Sequence, residues 1–103
     1  MPALDLKPSY LEELKILLSR HAPHAEVWAY GSRVSGQGHD ASDLDLVLRN
    51  PSRLDAPQEN LADLREALAE SSLPILVDIL DWARLPESFR QEIEKNYVVI
   101  QTP

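Results

Sequence analysis

Leucines at positions 11, 14, 17 and 18 recur at spacings of three and four, the period of a helix with one apolar stripe. Ser9 is the expected cap of that helix, with Glu12 three residues on completing a capping box, and His21 to Pro23 ends it. Glu26 to Tyr30 follows, and its Val27, Trp28 and Tyr30 favour extended backbone, which predicts a strand. Ser35 to Ser42 carries Gly36 and Gly38 and has no hydrophobic period, so it predicts a loop. Asp43 to Arg49 then alternates, with Leu44, Leu46 and Leu48 on one face, and predicts a second strand. Asn50 to Pro57 is polar and predicts a loop. Gln58 to Glu70 predicts a second amphipathic helix through Leu61, Leu64 and Leu68. Pro74 opens a nearly continuous apolar run, Ile75 to Leu80, which predicts a central strand buried on both faces. Ser88 to Asn96 predicts a third long helix, and Tyr97 to Ile100 a short final strand.

This order of elements predicts an α/β (α+β) domain with a mixed β-sheet flanked by helices. A short link joins the first two strands, and a helical crossover leads to the third. At 103 residues one small domain is expected over 1–103, with its core in about 10–101.

Composition narrows the function. With 44 % hydrophobic residues the chain can bury a core, but a small one, so an enzyme of this size must borrow surface from its substrate or from another chain. A formal net charge of −7 and the lack of a basic run argue against direct nucleic-acid binding, while an acidic surface suits a basic protein partner. There are no cysteines, which excludes disulfide scaffolds, cysteine-type zinc sites and thiol catalysis. No apolar run approaches the roughly 20 residues of a membrane span. Met1 to Tyr10 lacks the basic-then-apolar pattern of a signal peptide, so a cytoplasmic location is expected.

The candidate chemistry centres on Asp43 and Asp45. Two apart in a strand, they point to one face, where like charges raise each other's pKa and a divalent cation would offset the repulsion. Magnesium suits such a pair, since it takes oxygen ligands from one or two carboxylates and from substrate phosphates. An isolated pair of this kind is common by chance, so two further features matter. Asp78 sits inside the apolar run Ile75 to Leu80, where an uncompensated carboxylate is costly, and could supply a third ligand from a neighbouring strand. Asp81 competes for that place but has the opposite parity and lies at the strand's end. The second feature is Tyr30-Gly31-Ser32-Arg33. Gly31 lets backbone approach a ligand, Ser32 offers a hydroxyl and an N–H to a phosphate and could cap a short helix, and Arg33 adds charge or braces the fold.

Gly31-Ser32, ten residues, then Asp43-Leu44-Asp45, with Asp78 on a later strand, resembles the signature of the DNA polymerase β-like nucleotidyltransferase superfamily. Ala29-Tyr30-Gly31-Ser32-Arg33 and Ser42-Asp43-Leu44-Asp45-Leu46 look like its minimal nucleotidyltransferase branch. Val77-Asp78-Ile79-Leu80-Asp81-Trp82, Pro86-Glu87-Ser88-Phe89-Arg90 and Tyr97-Val98-Val99-Ile100 resemble the members encoded beside HEPN-domain partners. The likeness spans roughly residues 10–101.

The resemblance implies in-line transfer of a nucleoside monophosphate with two magnesium ions roughly 3.5–4 Å apart. Asp43 and Asp45 would hold both ions, and Asp78 would join the one beside the nucleophile and help take its proton. Gly31 and Ser32 would hold the β- and γ-phosphates of ATP, with Arg33 as a further phosphate contact. It also implies an antitoxin that transfers AMP to a tyrosine hydroxyl of a HEPN-type RNase toxin from the neighbouring gene. Since a small domain with exposed apolar surface often self-associates, a homodimer in isolation and a larger hetero-oligomer with that partner are both expected alternatives. Two other readings stand beside it: transfer to a small-molecule hydroxyl, and masking of a partner without catalysis. His21, His24 and His39 show no ligand spacing. His39 and Asp40, in the loop before the acids, are placed to touch substrate, and the loop Ser35 to Ser42 to close over a nucleotide. Trp28 and Trp82 are expected in the core or at an interface.

Overall fold

The computed structural model describes residues 3–36 and 42–103. Helix α1 spans Pro8–His21 and buries Leu14 and Leu18 completely. It does not begin as the capping box predicts. Lys7 occupies the cap position without a side-chain hydrogen bond, and Pro8 stands in the first turn, where its fixed φ and missing N–H cost nothing. Ser9 is therefore already inside the helix.

Strand β1 covers Glu26–Tyr30, and the chain turns at Gly31 into a one-turn helix, α2, Ser32–Ser35. Strand β2, Leu44–Arg49, returns antiparallel to β1. Helix α3, Leu61–Glu70, carries the crossover to β3, Val77–Asp81, which runs parallel to β2. A 3-10 turn at Trp82–Arg84 leads into α4, Glu87–Lys95, and then β4, Val98–Gln101, which pairs antiparallel with β1 on its other side. The sheet order is β3-β2-β1-β4, a mixed four-stranded sheet as expected.

Two expectations are corrected. Helix α3 starts at Leu61 rather than Gln58, because the Gln58 N–H donates to Asp81 Oδ2 and holds that segment out of the helix. Strand β3 is an edge strand, not a central one: Leu76, just before it, is 74 % exposed, and Asp78 is exposed as well. Its apolar run reflects full coverage of one face, where Ile79 is buried, and partial coverage of the other, where Leu80 packs on the tryptophan core, while its edge is blunted by Arg65 of α3, which donates to the Ile79 carbonyl.

The sheet carries a core on each face. Val27, Ala29, Leu44, Leu46, Leu48, Ile79 and Ile100 face α1 and α3 with Leu14, Leu18, Leu64 and Leu68. The opposite face packs Trp28 and Val47 against Trp82 and against Ile93 of α4. Tyr97 stacks on Trp28 with ring centroids 3.9 Å apart, and Trp82 meets Trp28 edge-on at 5.4 Å. Both tryptophans are thus core residues. Among the described residues no helix is long and apolar enough to cross a membrane.

Candidate active site

The strands deliver the acids to one end of one face. Asp43 is exposed immediately before β2, Asp45 is half-buried within it, and Asp78 is the register partner of Asp45 on the parallel neighbour β3. Neighbouring strands lie about 4.8 Å apart, so these side chains share one small patch. Tyr30, the last residue of β1, pairs with Asp45 from the other side. Asp81 is excluded by parity, as argued above: it is 5 % exposed, accepts from the N–H groups of Gln58 and Ala83, and lies 3.4 Å from Arg84 Nε.

Gly31 is tied to this patch by sterics. Its φ of +82° and ψ of −154° lie in a region essentially restricted to glycine. A Cβ added there would stand 2.5 Å from Asp45 Oδ2. The turn and the acid therefore touch, which explains why a Gly-Ser pair at this spacing carries information that an isolated one lacks. Gly31, not Ser32, holds the cap position of α2, and Val34 and Ser35 both donate to its carbonyl. Ser32 heads the helix, where first-turn N–H groups have no intrahelical acceptor.

The electrostatics follow from this crowding. Burial, then the charges of Asp78 and Asp43, hold the Asp45 carboxyl above its usual range. Burial, then Asp45 and Asp78, push the Tyr30 phenol up, so it stays neutral beside the carboxylates at ordinary pH. An added cation would relieve both. Among the described residues no three carboxylate or imidazole groups converge tightly enough to cage an ion by themselves. That suits magnesium, whose shell is completed by substrate phosphates and water, and the donor set is all hard oxygen.

Arg33 is 6 % exposed and points inward. Its Nε donates to the Ser42 carbonyl and its Nη1 to the Asp5 carbonyl, so its visible role is to brace the fold behind the turn. His21 and His24 border a cavity of about 280 Å³ that also includes Asn50 and Leu64, at the end of the sheet away from the acids. His39, Asp40 and most of the loop expected to close over a nucleotide lie outside the described residues.

Pattern reading missed the roof of the site. A groove of about 380 Å³ opens beside the turn, with Tyr30, Gly31, Ser32 and Ser35 on one side and Phe89, Glu92, Ile93 and Asn96 on the other. The latter four share one face of α4 and its end, at spacings of three, four and seven, so the helical period was visible although its partner was not.

Residues 12–102 match the family model described as Polymerase beta, Nucleotidyltransferase. A protein of Haemophilus influenzae described as a probable protein adenylyltransferase MntA is 46 % identical over 98 residues, covering 95 % of this chain and 84 % of that protein. Among solved structures, a toxin–antitoxin crystal structure with AMP-PNP superposes with a TM-score of 0.71 at 22 % identity, over 90 % of this chain and 73 % of the other. The toxin–antitoxin MntA–HepT superposes with a TM-score of 0.66 at 18 % identity, over 94 % and 74 %. At these identities the structural likeness speaks to the fold.

Proposed function

We propose that this chain, which belongs to the polymerase β nucleotidyltransferase family, transfers AMP from ATP to a tyrosine hydroxyl of a HEPN-type RNase toxin and so acts as its antitoxin in the cytoplasm. The observation that carries the reading is the contact of Gly31 with Asp45 at the end of the face that also holds Asp43 and Asp78. The 46 % relative supports a protein as acceptor, and the fold-level likeness to toxin–antitoxin chains agrees with a toxin as that protein.

Asp43 and Asp45 would hold two magnesium ions, and Asp78 one of them. When bound, the ions supply charge neutralisation for the polyphosphate and polarise the reacting oxygens. Gly31 and Ser32 hold the β- and γ-phosphates, with the glycine admitting them close to backbone. Asp78, exposed on the edge strand, would take the proton of the tyrosine hydroxyl. The tyrosine oxygen bonds to the α-phosphorus, the α–β bridging P–O bond breaks, and pyrophosphate leaves. Arg33 holds the backbone on either side of the turn and serves phosphate binding through that bracing.

The test mixes the chain with magnesium, α-labelled ATP and the product of the adjacent gene, beside an Asp43→Ala/Asp45→Ala variant. Label is expected on the partner from the unaltered chain alone. Equal labelling by the variant sinks the reading. A stable complex with no label from any NTP favours masking, and label on a small hydroxylated compound without a partner favours a small-molecule acceptor.

A further inference from the structure

We propose that the groove between α2 and α4 receives the nucleoside of the donor, and that Phe89 and Asn96 set its preference for adenine; this rests on the nucleotidyl-transfer reading above. The groove begins at the turn that touches Asp45, since Gly31 and Ser32 form part of its wall. Its volume of about 380 Å³ falls within the range of roughly 300–1,000 Å³ typical of small-ligand sites. Beyond the turn, Phe89 and Ile93 with Tyr30 make it aromatic and apolar, and Glu92 adds a negative charge there, a lining that suits a purine rather than a further phosphate.

Phe89 is 40 % exposed although it lies on the inner face of α4. It meets Tyr30 at 87° with ring centroids 6.1 Å apart, and the two rings form a corner rather than a closed stack. A flat base fits such a corner, stacking on one ring with its edge against the other. Asn96 lies seven residues on, about 10 Å along the helix, close to the length of a nucleoside. Among the described residues its side-chain amide makes no hydrogen bond; only its backbone N–H does, to Ile93. An asparagine amide pairs with adenine by donating to N7 and accepting from the N6 amino group, whereas guanine offers two acceptors, N7 and O6, at that edge and leaves the amide oxygen without a donor.

The order of reacting atoms also directs the nucleoside here. With the β- and γ-phosphates at the turn and the α-phosphate at the acids, the acceptor must arrive opposite the leaving pyrophosphate. The groove begins at the two residues assigned to the pyrophosphate, on the side away from that acceptor. The 5′ oxygen leaves the α-phosphorus off the line of attack, so the sugar is free to turn along α4.

The experiment compares binding of ATP, GTP and inorganic tripolyphosphate by calorimetry with magnesium, for the full chain and for Phe89→Ala, Phe89→Trp and Asn96→Ala. The unaltered chain should bind ATP roughly tenfold or more tightly than tripolyphosphate, the gain expected of one stacked base. Phe89→Ala should erase that gain and leave tripolyphosphate unchanged, Phe89→Trp should keep it, and Asn96→Ala should narrow the preference for ATP over GTP. Equal binding of ATP and tripolyphosphate by the unaltered chain, or a Phe89→Ala loss shared by both, overturns the groove alone. Failure of the unaltered chain to bind any of the three overturns the nucleotidyl-transfer reading and the groove with it.

Discussion

Two ends of one sheet face treat charge in opposite ways. At the lower end Arg49 sits over the corner made by Trp28 and Trp82, with its guanidinium carbon 4.3 Å and 4.7 Å from their ring centroids. Its Nε lies 2.8 Å from Glu26 Oε1, although the N–H is not aimed along that line, so the contact is ionic rather than a hydrogen bond. Asp81, at the same end of the sheet but on its opposite face, is buried with two backbone donors and Arg84. At the upper end Asp43, Asp45 and Asp78 share a patch with no ion pair to a described basic side chain, and Asp45 is pushed toward its protonated form. Charge that the fold compensates is structural. Charge that the fold leaves uncompensated, against the cost of burial and repulsion, marks the place where a ligand completes the account.

Substitutions at the two ends should therefore fail differently. Asp45→Ala is expected to lower AMP transfer roughly 10³-fold or more, given the electrostatic share that such groups supply, with the chain still folded. A variant within tenfold of normal would erase the contrast. Gly31→Ala should come next: the new methyl group collides with Asp45 in a backbone region closed to alanine, at about 1–3 kcal/mol, and transfer should fall with it. Denaturant unfolding and a transfer assay check both halves.

Asp81→Ala reverses the pattern. It leaves the Gln58 and Ala83 donors and Arg84 without their acceptor and should cost about 2 kcal/mol in stability, with magnesium-dependent nucleotide binding retained once folding is accounted for. A purely catalytic defect in a fully stable Asp81→Ala variant would contradict the division between the ends. The smallest expected effect is a gain. The folded-state pKa of Asp45 is raised, so the native chain binds more protons than the unfolded one above the usual carboxylate range. Stability without metal should then fall as pH rises through that elevated titration. Asp45→Asn should remove the slope and raise the Tm in EDTA at neutral pH. A Tm that is flat with pH, or lower in Asp45→Asn, would argue that the site is relaxed without a cation.

Much of this contrast is legible in the chain itself, because it rests on local spacing. Glu26 to Tyr30 is read to the residue, and the parity of Asp43 and Asp45 follows from the strand period alone. That Asp78 and Asp81 cannot both face the site follows from the same period, and the structure places them on opposite faces, with Asp78 on that of Asp45. What escapes is non-local. The apolar run before Leu80 looks central because periodicity reports burial, not sheet order, and only the pairing shows β3 at an edge. Nothing around Phe89 announces that α4 crosses over Tyr30. The cap of α1 is misread because two good start signals, Pro8 and Ser9, are adjacent, and the proline takes the first turn.

The grip of Arg33 has a practical consequence for handling the protein. Its backbone carbonyl accepts from the Asp5 N–H at 2.7 Å while its guanidinium holds the Asp5 and Ser42 carbonyls. The leader before α1 is thereby stitched, through one side chain, to the residue next to Asp43. Whatever tugs on that leader, whether a protease, a fused tag or a surface tether, tugs on the acids. Strand β4 instead runs toward Gln101 beside Val27, away from them. A handle attached after Pro103 leaves from the quiet end of the molecule, and one attached before Ala3 does not.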